Sequence, residues 1–442
     1  MIGLGKLGSP MAACFAAKGF TTIGVDLNEA VVDALNQGRP PVFEPGLAEM
    51  VAEGRACLTA TTDTERAVAA TDATFVIVPT PSDEDGGFSL EYVLPAIETI
   101  GRAIAEKSSF HLVALTSTVM PGATGGPVRQ ALEEASGKRV GVDIGLCYSP
   151  EFIALGSVIR DFLHPDFLLI GESDERSGKA LADIYSRVVN NDPAVARLNF
   201  VNAELAKISV NTFVTTKIAF ANMLARICER VPGASVDEVT SALGLDSRIG
   251  AKYLRGAISY GGPCFPRDNV AFATLARSLN APAHVAEATD AANRDGITRL
   301  AETVTDRLPE GGGSVAILGL SYKPNTDVVE ESPGIYLAQV LSAQGVPTTV
   351  FDPAGMPNAR LALAHDDVLF AESAEHAIRE ADVVVIATAW QEFASIDPSV
   401  LERVRDRRVI IDCWRILTPE QIQRVATYVA LGEGEPQQAL AL

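Results

Sequence analysis

The first eight residues constrain the fold of this 442-residue chain more than any other stretch. Gly3-Leu-Gly-Lys-Leu-Gly8 is a G-x-G-x-x-G, the spacing of a strand-to-helix turn whose backbone must approach a pyrophosphate closely. A helical stretch from Met11 to Lys18 follows, then a short strand from Thr21 to Val25. Asp26 closes that strand, where a carboxylate takes the ribose hydroxyls of NAD and repels the 2′-phosphate of NADP. Gly3, Gly5, Lys6, Leu7, Gly8 and Asp26 are therefore expected to hold NAD. One part is missing. Only Met1 and Ile2 precede the motif, although the first strand of such a sheet is central and its loss exposes its neighbours' ladder groups. The expectation is a chain that starts several residues too late, with its first strand truncated.

The alternation continues beyond Asp26. Asn28 to Asn36 reads as a helix, and Phe43-Glu-Pro-Gly46 as a turn opening another. Thr74 to Val78 is an apolar strand ending in Pro79-Thr-Pro81; Leu90 to Ile104 is helical. Leu112 to Leu115 leads into Thr116-Ser-Thr-Val-Met-Pro-Gly122, and Ile144 to Tyr148 ends in Ser149-Pro-Glu-Phe152. Ligands of open α/β sheets sit outside the carboxyl ends of the strands. Thr80, Pro81, Thr118 and Glu151 lie at such ends.

Asn190 to Val195 reads as a linker, after which Asn202 can cap a long helix running to about Val231. Lys207 and Asn211, four apart, share a face of it. For Lys207 alone, a snorkelling surface lysine is the ordinary reading. Farther on, Tyr260-Gly-Gly-Pro-Cys-Phe-Pro-Arg-Asp268 puts a lone cysteine just before a helix that reads from Asp268 to Leu279. A thiol there gains thiolate character from the helix N-terminus, and Asp268 lies one turn on. A buried cysteine in a tight turn and a reactive one both remain open on these residues alone. Pro309-Glu-Gly-Gly-Gly313 marks a boundary. Beyond it a strand (Ser314 to Leu318), Gly319, a helix (Gly334 to Gln344) and a strand (Thr348 to Phe351) ending at Asp352 restart a Rossmann-like unit. Two further strands, Asp382 to Ala387 and Arg408 to Ile411, precede a polar tail from Gly432 that reads as loose.

The fold class expected is α/β: two Rossmann-like doubly wound domains joined by a helical central domain with one long helix. The boundaries fall at 1–195, 196–308 and 309–442. A net charge of −20 argues against nucleic acid or an anionic membrane surface as the main partner. No apolar run reaches membrane-spanning length. The six cysteines form no CxxC pair and the five histidines lack ligand spacing, so a cytoplasmic protein with reduced thiols and no metal is expected.

In order and spacing, these runs resemble the UDP-glucose/GDP-mannose 6-dehydrogenase family nearly end to end. The resemblance rests on the glycine motif with Asp26, Phe43-Glu-Pro-Gly46, Val78-Pro-Thr-Pro81, Ser117-Thr-Val119 and Pro150-Glu-Phe152. It continues through Lys207 and Asn211, Arg248-Ile-Gly250, Gly261 to Asp268, and Gly319-Leu-Ser-Tyr-Lys323 with Thr326-Asp327. It implies oxidation of CH2OH to carboxylate at C6 of a nucleotide sugar, with two NAD⁺ and one water. Cys264 would trap the aldehyde as a thiohemiacetal and carry the thioester that follows. Lys207 and Asn211 would stabilise oxygen charge. Asp268, Glu151 and Thr118 would handle protons and water. Phe152, Arg248 (from a partner subunit), Tyr260, Gly261, Lys323 and Arg415 would contact substrate, and the long helix would form a homodimer. Pro-Glu-Phe resembles the glucose and mannose branches more than the N-acetylhexosamine branch, which makes UDP-glucose the leading substrate. The alternatives are GDP-mannose, a UDP-N-acetylhexosamine, a two-electron dehydrogenase, or an inactive nucleotide-sugar-binding homologue. Three positions depart from the family pattern: Leu155 and Glu330 replace a glutamate and an arginine, and Arg267 replaces a lysine.

Overall fold

Short apolar strands, buried on both faces at the centre (His111–Leu115 and Ile144–Tyr148) and exposed at the Ala194–Leu198 edge, build the first sheet. Its strands are β1 (Thr22–Val25), β2 (Leu58–Thr61), β3 (Ala73–Val76), β4 (His111–Leu115), β5 (Ile144–Tyr148), β6 (Phe167–Glu172) and β7 (Ala194–Leu198). Strand β4 shows why the helices must cover both sides. Leu112 and Ala114 enter one hydrophobic cluster, Val113 and Leu115 the opposite one, as the two-residue period of a strand requires. The pairing is parallel except between β5 and β6. The computed structural model describes residues 1–403 and 407–434. They fall into two compact units, Met1–Val210 and Asn211–Leu442.

Two residues stand at the central strand position of the first unit. Ile2 bridges Val25 on one side and Val76 on the other. Ile2 N–H donates to Phe75 O and Gly3 N–H to Val25 O, both at 2.8 Å; Ile77 N–H donates to Ile2 O at 2.9 Å. The neighbours' ladder groups that a missing strand would expose are thus paired along this short stretch.

The second unit carries β8 (Val315–Leu318), β9 (Thr348–Phe351), β10 (Val368–Phe370), β11 (Val383–Ile386), β12 (Val409–Asp412) and β13 (Thr427–Ala430). Its sheet order is β10-β9-β8-β11-β12-β13, parallel throughout. That is the 3-2-1-4-5-6 order of a dinucleotide-type Rossmann sheet. The turn after β8 repeats the joint at the chain start. A Cβ on Gly8 would lie 1.9 Å from Gly3 O, and one on Gly334 2.1 Å from Gly319 O. In each unit a glycine-on-glycine contact seats the following helix against its strand.

Three sequence expectations need correction. Asn190 to Val195 is not wholly a linker, because β7 begins at Ala194 and pairs with β6; a boundary at 195 cuts this strand. It is half exposed and lacks an apolar run, so periodicity did not reveal it. The long helix spans Phe200–Cys228, and its capping acceptor is Asn199, whose Oδ1 receives Asn202 N–H at 2.9 Å. The tail is docked as far as Gly434: Gly432 O accepts from Val236 N–H, and Gly434 N–H donates to Ala234 O, each at 2.9 Å. The rest of the tail lies outside the described residues.

Candidate active site

The glycine turn divides its labour. Gly3 has φ +92°, and a Cβ there would meet Ile77 O at 2.5 Å; Gly8 packs as described. Gly5 is different: no atom lies within 4 Å of where its Cβ would be, which leaves room for a phosphate against the backbone. No side chain among the described residues caps the helix Gly8–Ala17; with Ser9 N–H bonded to Gly5 O at 3.1 Å and Pro10 lacking an N–H, what this helix start offers an anion is chiefly the positive end of its dipole. Asp26 stands beside this turn, its Oδ2 accepting Leu4 N–H at 2.8 Å and its Oδ1 accepting Asn28 N–H at 2.9 Å. Lys6 and Leu7 are half-buried in the same loop, while Thr80 (buried), Pro81 and Thr118 follow β3 and β4. The residues fit a dinucleotide.

At the end of β5 the chain turns through Ser149-Pro-Glu-Phe152. Lys207, 7% exposed, donates to the Glu151 main-chain oxygen at 2.7 Å and lies 4.7 Å from the Phe152 ring centroid. Tyr185 donates to Glu151 Oε1 at 2.9 Å. Burial pushes the Glu151 carboxyl up to about 7, against the opposing pull of the Tyr185 hydrogen bond and the Lys207 charge. A carboxyl of this kind exchanges protons near neutrality, as a general base needs to.

Two further carboxylates fix the loops around these groups. Glu204, fully buried, accepts Gly122 N–H at 2.6 Å and Thr124 N–H at 2.7 Å, so it clamps the segment that follows Thr118. Glu44, of the Phe-Glu-Pro-Gly turn, accepts Gly156 N–H at 2.7 Å and Val158 N–H at 2.8 Å. It holds the loop that carries Leu155.

In the second unit, Cys264 is exposed and stands at the N-cap of the helix Phe265–Ser278. Asp268 is 1% exposed and accepts from Asn211 Nδ2 at 2.6 Å, with the Arg267 guanidinium at 3.5 Å. Arg267 thus supplies the cation that a lysine would. Asn293 clamps Tyr260 from both sides, accepting its N–H at 2.8 Å and donating to its carbonyl at 2.9 Å. The glycines explain themselves by contact. A Cβ on Gly261 would lie 2.1 Å from Glu331 O; Gly262, at φ +89°, would meet the Tyr322 ring at 2.6 Å. Gly262 N–H donates to Glu330 O at 3.1 Å, so position 330 serves this loop through its backbone whatever its side chain.

Family models match the chain in three parts: the NAD binding domain of the UDP-glucose/GDP-mannose dehydrogenase family over residues 1–189, its central domain over 201–295, and its UDP binding domain over 316–419. The chain belongs to this family. It is 38% identical to the UDP-glucose 6-dehydrogenase of Haloferax volcanii, over 95% of this chain and 96% of that protein. It is 32% identical to the GDP-mannose 6-dehydrogenase of Azotobacter vinelandii, over 90% and 93%. The UDP-glucose dehydrogenase of Pyrobaculum islandicum superposes with TM-score 0.88 at 35% identity, covering 98% of this chain and 96% of that one. The family resemblance read from the motifs is therefore correct. NAD is the cofactor.

Within the family frame, the remaining expected residues separate. Lys323 is half-buried in the loop after β8. Arg248 is exposed and bonded to Asp246. Arg415, expected at the nucleotide, fastens three segments of the second unit. Its guanidinium makes two bonds of 2.8 Å to Asp237 and also reaches Gly256 O and Leu431 O. Sequence reading missed Glu204, Glu44 and Tyr185. Glu204 carried one usable signal, since it lies three residues before Lys207 on the same helix face. No helix among the described residues is long and apolar enough to cross a membrane, and they hold no cluster able to bind a metal ion.

Proposed function

We propose that this chain oxidises C6 of a nucleotide sugar to the carboxylate, with UDP-glucose as the leading substrate, through a covalent bond to Cys264. The observation that carries the reading is an exposed thiol at a helix start, one turn from a buried aspartate held by Asn211. A two-electron dehydrogenase needs no such thiol. NAD, when bound, supplies the hydride acceptor. Cys264 adds to the intermediate aldehyde and so keeps it on the protein. Lys207 and Asn211 stabilise the charge that develops on oxygen. Asp268 manages protons near the sulfur, and Glu151, with Thr118, activates the water that hydrolyses the thioester. In this reading Phe152, Tyr260, Gly261 and Lys323 contact the nucleotide sugar, and Arg248 reaches a partner subunit's substrate.

UDP-glucose leads because two relatives that are 38% and 35% identical to this chain carry that name. We further propose a homodimer built on the long helix, whose Phe213, Phe220, Met223 and Ile227 are 67%, 46%, 44% and 49% exposed. The NAD-binding, central and nucleotide-sugar-binding regions are read as three functional domains. Six cysteines outside any disulfide fit a reducing cytoplasm. The test is NADH formed per sugar consumed, on UDP-glucose, UDP-galactose, two UDP-N-acetylhexosamines and GDP-mannose. Two NADH on one substrate support the reading and name the sugar. One NADH removes the thioester, and none on any sugar leaves a binding protein.

A further inference from the structure

One buried hydroxyl chain has no use in the mechanism above. Ser149 and Tyr185, the latter on the helix Glu175–Ser186, meet hydroxyl to hydroxyl at 2.8 Å. Tyr185 donates onward to Glu151 Oε1 at 2.9 Å. The tyrosine is 1% exposed and packs edge-on against Phe75 and Phe162, so its ring and phenol oxygen are held in one place. A phenol carries a single proton. Because that proton goes to the carboxylate, Ser149 must donate to the tyrosine oxygen, and the chain runs one way: serine, tyrosine, glutamate. Glu151 Oε2 has no hydrogen-bond partner among the described residues.

We propose that Tyr185 is a positioning residue which ties down Oε1 of Glu151 and leaves Oε2 as the single oxygen that takes a proton from the attacking water. This rests on the hydrolytic role proposed for Glu151. As the water oxygen bonds to the thioester carbonyl carbon, one water proton moves to Oε2. The tetrahedral intermediate then collapses, the C–S bond breaks, and Cys264 leaves as thiolate; nothing is oxidised or reduced in the step. The groups facing this carboxyl are Tyr185 from its helix and the Lys207 ammonium from the long helix, with the Cys147 thiol of β5 acting on the tyrosine. Both Tyr185 and Lys207 favour the charged carboxylate, so loss of the phenol hydroxyl moves proton release to higher pH.

The test is Tyr185→Phe, which keeps the ring and its packing, with Ser149→Ala as the milder second variant. Difference infrared titration follows the Glu151 carboxyl band, identified by its loss in Glu151→Gln, and requires no turnover. Single-turnover kinetics separately follow NADH formation and thioester hydrolysis. In Tyr185→Phe the band midpoint is expected to rise, and hydrolysis at neutral pH to slow about tenfold, the scale of a hydrogen bond to a charged acceptor. NADH formation and KM stay as in the wild type, and Ser149→Ala shifts the midpoint the same way by less. An unmoved midpoint in Tyr185→Phe overturns the proposal, as do equal losses in both kinetic phases, which mark a merely structural role. A wild-type protein that forms no NADH on any sugar overturns the functional reading instead, and the infrared midpoint still decides whether Tyr185 governs the carboxyl.

Discussion

Glu151→Gln should make the protein more stable and less active at the same time, with the gain in stability growing from about pH 4.5 and complete above about pH 7. The folded carboxyl holds its proton up to about pH 7, against an ordinary 4.5, because burial penalises its charge. Between those two values the folded state binds more protons than the unfolded one, so stability falls as pH rises through the window. Above it, the wild type carries the whole cost. At 1.36 kcal/mol per pH unit, and with some relief because the side chain is only partly buried, that cost is roughly 2–3 kcal/mol. Glutamine keeps the shape and can still accept from Tyr185, but it has no charge to bury. Thermal midpoints of the two cofactor-free proteins should therefore coincide near pH 4.5 and separate by about 5–10 °C at pH 8.5, with the variant higher; this scale follows from a unit of roughly two hundred residues. Over the same range, thioester hydrolysis in the variant should fall by about 10²–10⁴-fold, the usual contribution of a general base. A separation that does not grow with pH, or a variant less stable at pH 8.5, would refute the assignment of a costly charge to this carboxyl.

Gly261→Ala forces a Cβ to within 2.1 Å of Glu331 O and should cost about 1–3 kcal/mol in a denaturant titration; an unchanged midpoint would mean that the loop moves freely. Cys264→Ser should bind UDP-sugar normally yet halt after the aldehyde, and steady full turnover by it would remove the thiol from the mechanism. Asp26→Ser should narrow the preference for NAD over NADP by about tenfold, the scale of a charged hydrogen bond. Equal wild-type rates with both cofactors would remove the ribose role from Asp26.

The parts of the site legible in the sequence were those made of local chain. The glycine turn, the cysteine before its helix and the Lys207–Asn211 spacing each depend on residues a few positions apart, and each stands where the pattern put it. The illegible parts depend on partners far away along the chain. Glu44 acts on Gly156, Tyr185 on Glu151, and Glu204 on Gly122, and no periodicity marks a carboxylate or phenol for a partner dozens of residues distant. The bonds of Arg415 to Asp237 were hidden for the same reason. The pairing of Ile2 at the central strand position could not be foreseen either, because two residues are too few to show a period.

The doubled glycine joint has a consequence for stoichiometry. Four residues separate Gly3 from Gly8, whereas fourteen separate Gly319 from Gly334. In the second unit, Asp352 occupies the strand-end place of Asp26, but its carboxylate is saturated by Leu320, Ser321, Ala354 and Gly355 amides, the Ser321 hydroxyl and the Trp390 indole. An acid so committed has nothing left for a ribose. The two sheets share a blueprint without sharing a ligand, and calorimetric titration with NAD should therefore saturate at one equivalent per chain.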